Sequence, residues 1–186
     1  PADDYFTIQS GADVSADRNE GYGIYNDGGV FTIENGANVS ADNNKSFGIG
    51  NSLGTFIVAT GANVSTDNNN SYGIYNTNSG TFTVERDVDL QVEHNKSSGI
   101  VNKKGATLTL LSGRVRYNTT SQDGGGLRNY ATATLSDDVQ LYNNHAEVSG
   151  DDIENGDGAT ITFGATGSDW ALDGYPDCYH PIDGWY

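Results

Sequence analysis

Seven of the nine basic residues in this chain, Arg86, Lys96, Lys103, Lys104, Arg114, Arg116 and Arg128, lie in one middle stretch. Against Asp87, Asp89, Glu93 and Asp123 they give it a local charge of +3, while the remaining residues carry 2 basic against 21 acidic. Cations concentrated in this way can hold an anionic glycan or an acidic partner surface, with Tyr117 and Tyr130 available for stacking. The opposing reading pairs them with acidic residues of the chain itself.

Three further constellations carry possible chemistry. Asp17, Asp42, Asp67 and Glu93 recur at the repeat spacing of the chain, with Asp13 and Asp89 close by. Stacked carboxylates repel, and calcium could relieve that repulsion using their oxygens and the Asn43 or Asn68 amides. No calcium-loop consensus is present, and a solvated acidic face needs no ion. Thr-x-Thr pairs occur at Thr81 and Thr83, Thr107 and Thr109, Thr132 and Thr134, and Thr160 and Thr162. Facing out of a strand, two such columns form a flat threonine array like that of β-helical ice-binding proteins, although β-branched residues suit strands in any case. Glu34 and Glu85 are expected to project from the same face and interrupt it. Lastly, Asp137-Asp138 and Asp151-Asp152 are paired carboxylates with His145 between them in sequence, the residue types of general acid–base chemistry. The Gly-His-Gly and Arg-Ile-Lys phrases of a polygalacturonase are absent, and His94, His145 and His180 have no metal-ligand spacing. No catalytic residue is assigned.

What must position these residues is a repeat. The phrase Gly-(Ile/Leu)-x-Asn occurs at Gly23–Asn26, Gly48–Asn51, Gly73–Asn76, Gly99–Asn102 and Gly126–Asn129, at intervals of 25 to 27 residues, with Asp152–Asn155 as a worn copy. Self-similarity at this period marks a solenoid, whose units bury their apolar side by stacking on one another. Each unit holds three short segments of alternating polarity separated by Gly- and Asn-rich corners, a strand signal. Phe31 and Ile33, then Ala37, Val39 and Ala41, point inward, as do Phe82 and Val84, then Val88, Leu90 and Val92. In the third segment the same alternation places Tyr22, Ile24 and Asn26 inside. It leaves Tyr25, Gly50, Tyr75, Val101, Arg128 and Glu154 facing out. An inward Asn in every coil can bond to its neighbours and to corner backbone groups.

The expected fold is all-β: a right-handed parallel β-helix of about six triangular coils of about 25–28 residues over 1–163. The hand follows from the crossover preference of parallel strands. Residues 164–186 break the repeat, hold both tryptophans, and read as a cap over the open sheets or as the start of another domain. The formal charge of −16 argues against nucleic acid or an anionic membrane as partner of the whole surface. No apolar run approaches a membrane span of about 18 residues. The one cysteine, Cys178, has no partner within the chain, so the fold is expected to stand without disulfides, as a monomer. The start at Pro1 has neither signal peptide nor initiator methionine, and reads as a processed piece of something larger.

The phrases Val92-Glu93-His94-Asn95-Lys96-Ser97-Ser98-Gly99-Ile100, Val115-Arg116-Tyr117-Asn118, Gly124-Gly125-Gly126-Leu127 and Gly80-Thr81-Phe82-Thr83-Val84 resemble the repeats of bacterial surface β-helix proteins. Chlamydial polymorphic outer-membrane proteins and cell-wall proteins of gut Gram-positive bacteria have such repeats. The likeness covers about residues 5 to 163, with Tyr22, Phe47 and Tyr72 standing where the first Gly of a Gly-Gly pair is usual. It implies an extracellular location and a non-catalytic, adhesive role toward a host glycan or host surface protein. The competing class is a pectinase- or lyase-like domain, and a third is ice binding. The expected ligand-binding residues are Lys96, Lys103, Lys104, Arg114, Arg116, Arg128, Tyr117 and Tyr130. No cofactor is expected other than calcium at the Asp17, Asp42, Asp67 and Glu93 column.

Overall fold

A computed structural model describes residues 4–164 and 182–183. The strands form three parallel sheets, each taking one strand from every coil. The first contains Tyr5–Ile8, Val30–Ile33, Thr55–Val58, Thr81–Val84, Thr107–Leu110, Thr132–Leu135 and Thr160–Phe163. The second runs from Asp13–Ser15 through Asn38–Ser40, Asn63–Ser65, Asp89–Glu93 and Gly113–Arg116 to Val139–Tyr142. The third holds Ile24–Asp27, Ile49–Ser52, Ile74–Thr77, Ile100–Asn102, Leu127–Asn129 and Ile153–Asn155, and Ile182–Asp183 pairs onto its end. A short fourth pair, Thr119–Thr120 with His145–Ala146, appears in the last coils. The chain is therefore a parallel β-solenoid of about six coils. The non-repetitive end expected over 164–186 falls almost wholly outside the described residues, as does Cys178.

Register places like on like. Phe6, Phe31, Phe56 and Phe82 are paired in line, and their rings stack at 4.8, 4.6 and 4.8 Å between centroids. That is the spacing of neighbouring strands, so each ring rests on the next without bending the backbone. Each such pair adds about 0.5–1.5 kcal/mol beyond the area it buries. Ile33, Val58, Val84, Leu110 and Leu135 form a second buried column, and Val39, Val64 and Leu90 a third. The alternation read for the first two segments is the one observed.

The asparagine of the repeated phrase does what its inward position requires. Asn26 Nδ2 donates to Asn51 Oδ1, Asn51 to Asn76, Asn76 to Asn102, Asn102 to Asn129 and Asn129 to Asn155, at 2.8–3.0 Å. The same nitrogens reach backbone carbonyls at the corner, as Asn76 Nδ2 does with Gly80 O and Thr107 O at 3.1 and 2.9 Å. Gly80 O also accepts the Thr107 N–H at 2.9 Å, so the ladder gives the corner carbonyl a second donor and satisfies its own buried amides.

A second amide ladder occupies the corner between the second and third sheets, built on Asn19, Asn44, Asn69, Asn95, Asn118 and Asn144. Here each Oδ1 accepts both the backbone N–H and the side-chain amide of the preceding coil's asparagine, as Asn118 Oδ1 does from Asn95 N and Nδ2 at 3.0 and 2.9 Å. The residue just before each rung, Arg18, Asn43, Asn68, His94, Tyr117 or Asn143, has φ between 55° and 59°. This left-handed residue turns the chain and sends its own side chain outward, and asparagine tolerates the conformation better than most. The adjacent Asn-Asn pairs thus divide the work, the first residue turning and the second bonding.

The glycine of the phrase is a place of close approach. A Cβ on Gly48 would stand 2.7 Å from Ala41 O, 2.8 Å from Asn69 Nδ2 and 3.0 Å from Gly73 O. Gly23, Gly73, Gly99 and Gly126 are hemmed in by the same combination of neighbouring backbone and ladder or core side chains.

Candidate functional site

The carboxylate column is a hydrogen-bonded ladder with one acid per coil. Asp17 Oδ1 accepts Asp42 N–H, Asp42 Oδ1 accepts Asp67 N–H and Asp67 Oδ1 accepts Glu93 N–H, at 2.7, 2.7 and 2.8 Å. The Ser40 and Ser65 hydroxyls donate to Asp17 and Asp42, each at 2.9 Å. Arg116 closes the column, its Nε on Glu93 Oε1 at 2.7 Å and a second nitrogen on the Tyr142 hydroxyl at 2.6 Å. Burial pushes the Asp67 carboxyl up to about 7; the Glu93 N–H works against this, while the neighbouring Asp42 and Glu93 carboxylates add to it. Burial likewise raises Asp42. In Asp17 burial is outweighed by the hydrogen bonds from Ser15, Asp42 and Ser40, and its pKa is lowered. Hydrogen bonds to Glu93 and Tyr142 raise Arg116 further above an already high range. Among the described residues no three His, Cys, Asp or Glu side chains gather to hold a metal.

The basic residues do not form one patch. A coil of about 25 residues circles the axis, so neighbours in sequence leave from different sheets. Arg114 and Arg116 lie on the second sheet, paired with Asp89 at 2.8 Å and Glu93 at 2.7 Å. Arg128 lies on the third, held by Gln122, by Tyr130 Oη at 2.7 Å and by Asp123 at 3.5 Å. Arg86 bridges to Asp138 at 2.8 Å, so the Asp137-Asp138 pair is an exposed ion-pair partner. The intramolecular pairing weighed from sequence therefore takes the arginines. Lys96, Lys103 and Lys104 hold no carboxylate among the described residues. Lys96 shares a depression of about 440 Å³ with Tyr117, His94 and Thr119. Lys104 lines another of about 350 Å³ with Tyr130, Thr107 and Asp157, and Lys103 Nζ lies 5.4 Å from the centre of the Tyr130 ring.

Asp151 and Asp152 are buried at the last coil. Asp152 Oδ1 accepts Asn144 N and Nδ2 at 3.2 and 2.8 Å, and Asp151 Oδ1 accepts Ala146 N–H at 2.6 Å while lying 3.3 Å from His145 Nδ1. These acids terminate a corner. On the first sheet Thr81, Thr107, Thr132 and Thr160 fall in one register column and Thr83, Thr109, Thr134 and Thr162 in another. Glu34 and Glu85 do not interrupt that face as expected. Their carboxylates bend to the corner and accept the backbone N–H of Ser10 and Thr60, each at 3.0 Å.

One group was misplaced by strict alternation. Tyr22 is not internal but 50 % exposed, and with Phe47, Tyr72, Tyr25 and Tyr75 it makes an aromatic cluster on the outside of the third sheet. Tyr22 and Phe47 stack at 4.4 Å, Phe47 and Tyr75 at 5.5 Å, Tyr72 and Tyr75 at 5.4 Å. The close approach at the following glycine resets the inward–outward phase before the strand begins. Tyr25 and Tyr75 do face out, but Val101, in register with Tyr75, is only 1 % exposed.

Compared with known proteins, the chain matches no family model, no curated protein and no solved structure.

Proposed function

We propose that this solenoid is an extracellular, non-catalytic binding module of a bacterial surface protein, engaging a host glycan or host surface protein. Acidic groups of that partner dock beside Lys96 and Tyr117, and beside Lys103, Lys104 and Tyr130. The observation that carries this reading is that none of those three lysines holds a carboxylate among the described residues. In a chain of net charge −16, where five other basic side chains are held by carboxylates, cations left beside the exposed Tyr117 and half-buried Tyr130 rings are available to a ligand. The rigid, stacked coils hold such side chains with little ordering cost on binding. The bacterial surface location rests on the repeat phrases.

Retention on immobilised heparin or sialylated mucin at low salt tests the reading. The triple variant Lys96→Glu, Lys103→Glu, Lys104→Glu should elute at clearly lower salt; unaltered elution removes these sites.

A second reading rests on the threonine face. Eight threonines in two register columns, free of the glutamates expected among them, present methyl and hydroxyl groups on one regular lattice. Ice recrystallisation in its presence decides the matter: inhibition lost in Thr109→Tyr, Thr134→Tyr supports an ice-facing role, and growth as in buffer excludes it.

A further inference from the structure

We propose that the aromatic cluster on the third sheet is a docking face for a neutral oligosaccharide, separate from the lysine sites. This rests on the reading of the chain as a binding module but uses another face. Three properties of the cluster point to that ligand. Four of its five members are tyrosines, and none of the Tyr22, Tyr25, Tyr72 and Tyr75 hydroxyls bonds to another described residue. In contrast, Tyr130 and Tyr142 each accept an arginine N–H. A surface of ring carbon edged by uncommitted phenols matches a sugar, which offers apolar C–H faces edged by hydroxyls.

The cluster is also built into the coils. Gly50, in register between Tyr25 and Tyr75, leaves room for the rings: a Cβ there would stand 2.5 Å from Phe47 Cε2 and 2.6 Å from Tyr25 Cδ2. The rings of Phe47 and Tyr25 therefore pack over this glycine, and the cluster runs across three coils along the solenoid axis as one aromatic strip, which suits an extended chain of sugar units. At the equivalent outward position the later coils carry Val101, Arg128 and Glu154, so the feature belongs to the first three coils.

Charge selects a neutral glycan over an acidic one. Among the described residues no cation lies over these rings, the flanking Glu20 and Lys45 pair with each other, and the chain as a whole repels anions. Tyr22 and Tyr25, at 50 % and 43 % exposure, are the members most open to a ligand.

Affinity electrophoresis in gels containing galactomannan, mixed-linkage β-glucan or neutral arabinoxylan tests the proposal, with serum albumin as the mobility reference. At least one polysaccharide should retard the protein, and Tyr22→Ala, Tyr25→Ala should weaken that retardation on the order of tenfold, the value of a lost stacking contact. The Tyr→Phe versions, which keep the rings, should lose less. Thermal melts of each variant establish that the solenoid is intact. Migration unaffected by every neutral polysaccharide, or retardation undiminished in the alanine variant, overturns the proposal. Heparin retention, run in parallel, reports the lysine sites and should be the same in the tyrosine variants and the parent.

Discussion

Asn144 gives both its backbone N–H and its side-chain amide to a single oxygen of Asp152, at 3.2 and 2.8 Å. Every earlier rung of this ladder makes the same two bonds to an asparagine one coil further on; here the acceptor comes from eight residues ahead in the same coil. Asp152 is thus a terminating rung. Asp152→Asn keeps the acceptor and should hold the urea midpoint close to that of the parent. Asp152→Ala leaves two buried donors unpaired and should cost about 2–4 kcal/mol in urea unfolding.

The inner ladder and an outer one use the same chemistry at different depth. Asn76→Ala, in the buried ladder, leaves Asn102 Oδ1 without its amide donor and removes an acceptor from Asn51 Nδ2, and should lower stability by about 2–4 kcal/mol. Asn63 bonds to Asn38 on the exposed face of the second sheet, at 2.7 Å. Asn63→Ala should cost under about 0.5 kcal/mol, because water replaces the partner. Equal losses in denaturant unfolding would mean that burial is not what gives the ladder its strength.

Two glycines with one residue between them, Gly48 and Gly50, separate a structural role from a surface one. Gly48→Ala drives a methyl into backbone oxygens of two coils and should destabilise by about 2–3 kcal/mol. Gly50→Ala meets only the outer edges of Phe47 and Tyr25, which can swing away. Its cost should stay under about 1 kcal/mol, while the near-ultraviolet circular dichroism of the tyrosines changes.

Asp67 gives the fold a pH dependence of unusual sign. Its carboxyl is raised from 3.8 to about 7, so the folded state binds a proton more tightly than the unfolded chain does between those values. The contribution is complete below the unfolded value and is lost as pH rises through about 7. Asp42 is shifted in the same direction, whereas Asp17 is lowered and favours folding only where it is ionised. The melting temperature should therefore rise as pH falls from 8 to 5, and turn down only in stronger acid. Asp67→Asn, which still accepts Glu93 N–H, should flatten that rise and lift the melting temperature at pH 8 by roughly 2–4 °C. A parent that melts lower at pH 5 than at pH 8 would contradict this assignment.

Sequence period and alternation were sufficient for the coils because one inward column per strand is a strong signal: Phe31, Phe56 and Phe82 mark it, and Asn26, Asn51 and Asn76 fix its phase. Corners were less legible. In Asn43-Asn44 and Asn68-Asn69 nothing in residue type says which amide turns inward, because backbone conformation makes that choice. The glycine's close approach reset the alternation at Tyr22, and the aromatic cluster was hidden with it. The basic residues looked like one patch because sequence distance was read as spatial distance. Arg116 and Lys103 are near in the chain yet leave different sides of a triangle.

The amide ladders also have a direction. Every rung donates toward the higher-numbered coil, from Asn19 and Asn26 onward. The amide-to-amide bond of a newly synthesised coil must therefore wait for the following turn of about 25 residues, so closure of each ladder trails synthesis by one coil. At the last rung of the corner ladder that delay vanishes: Asp152 reaches back within its own coil, and Asn144 needs no successor.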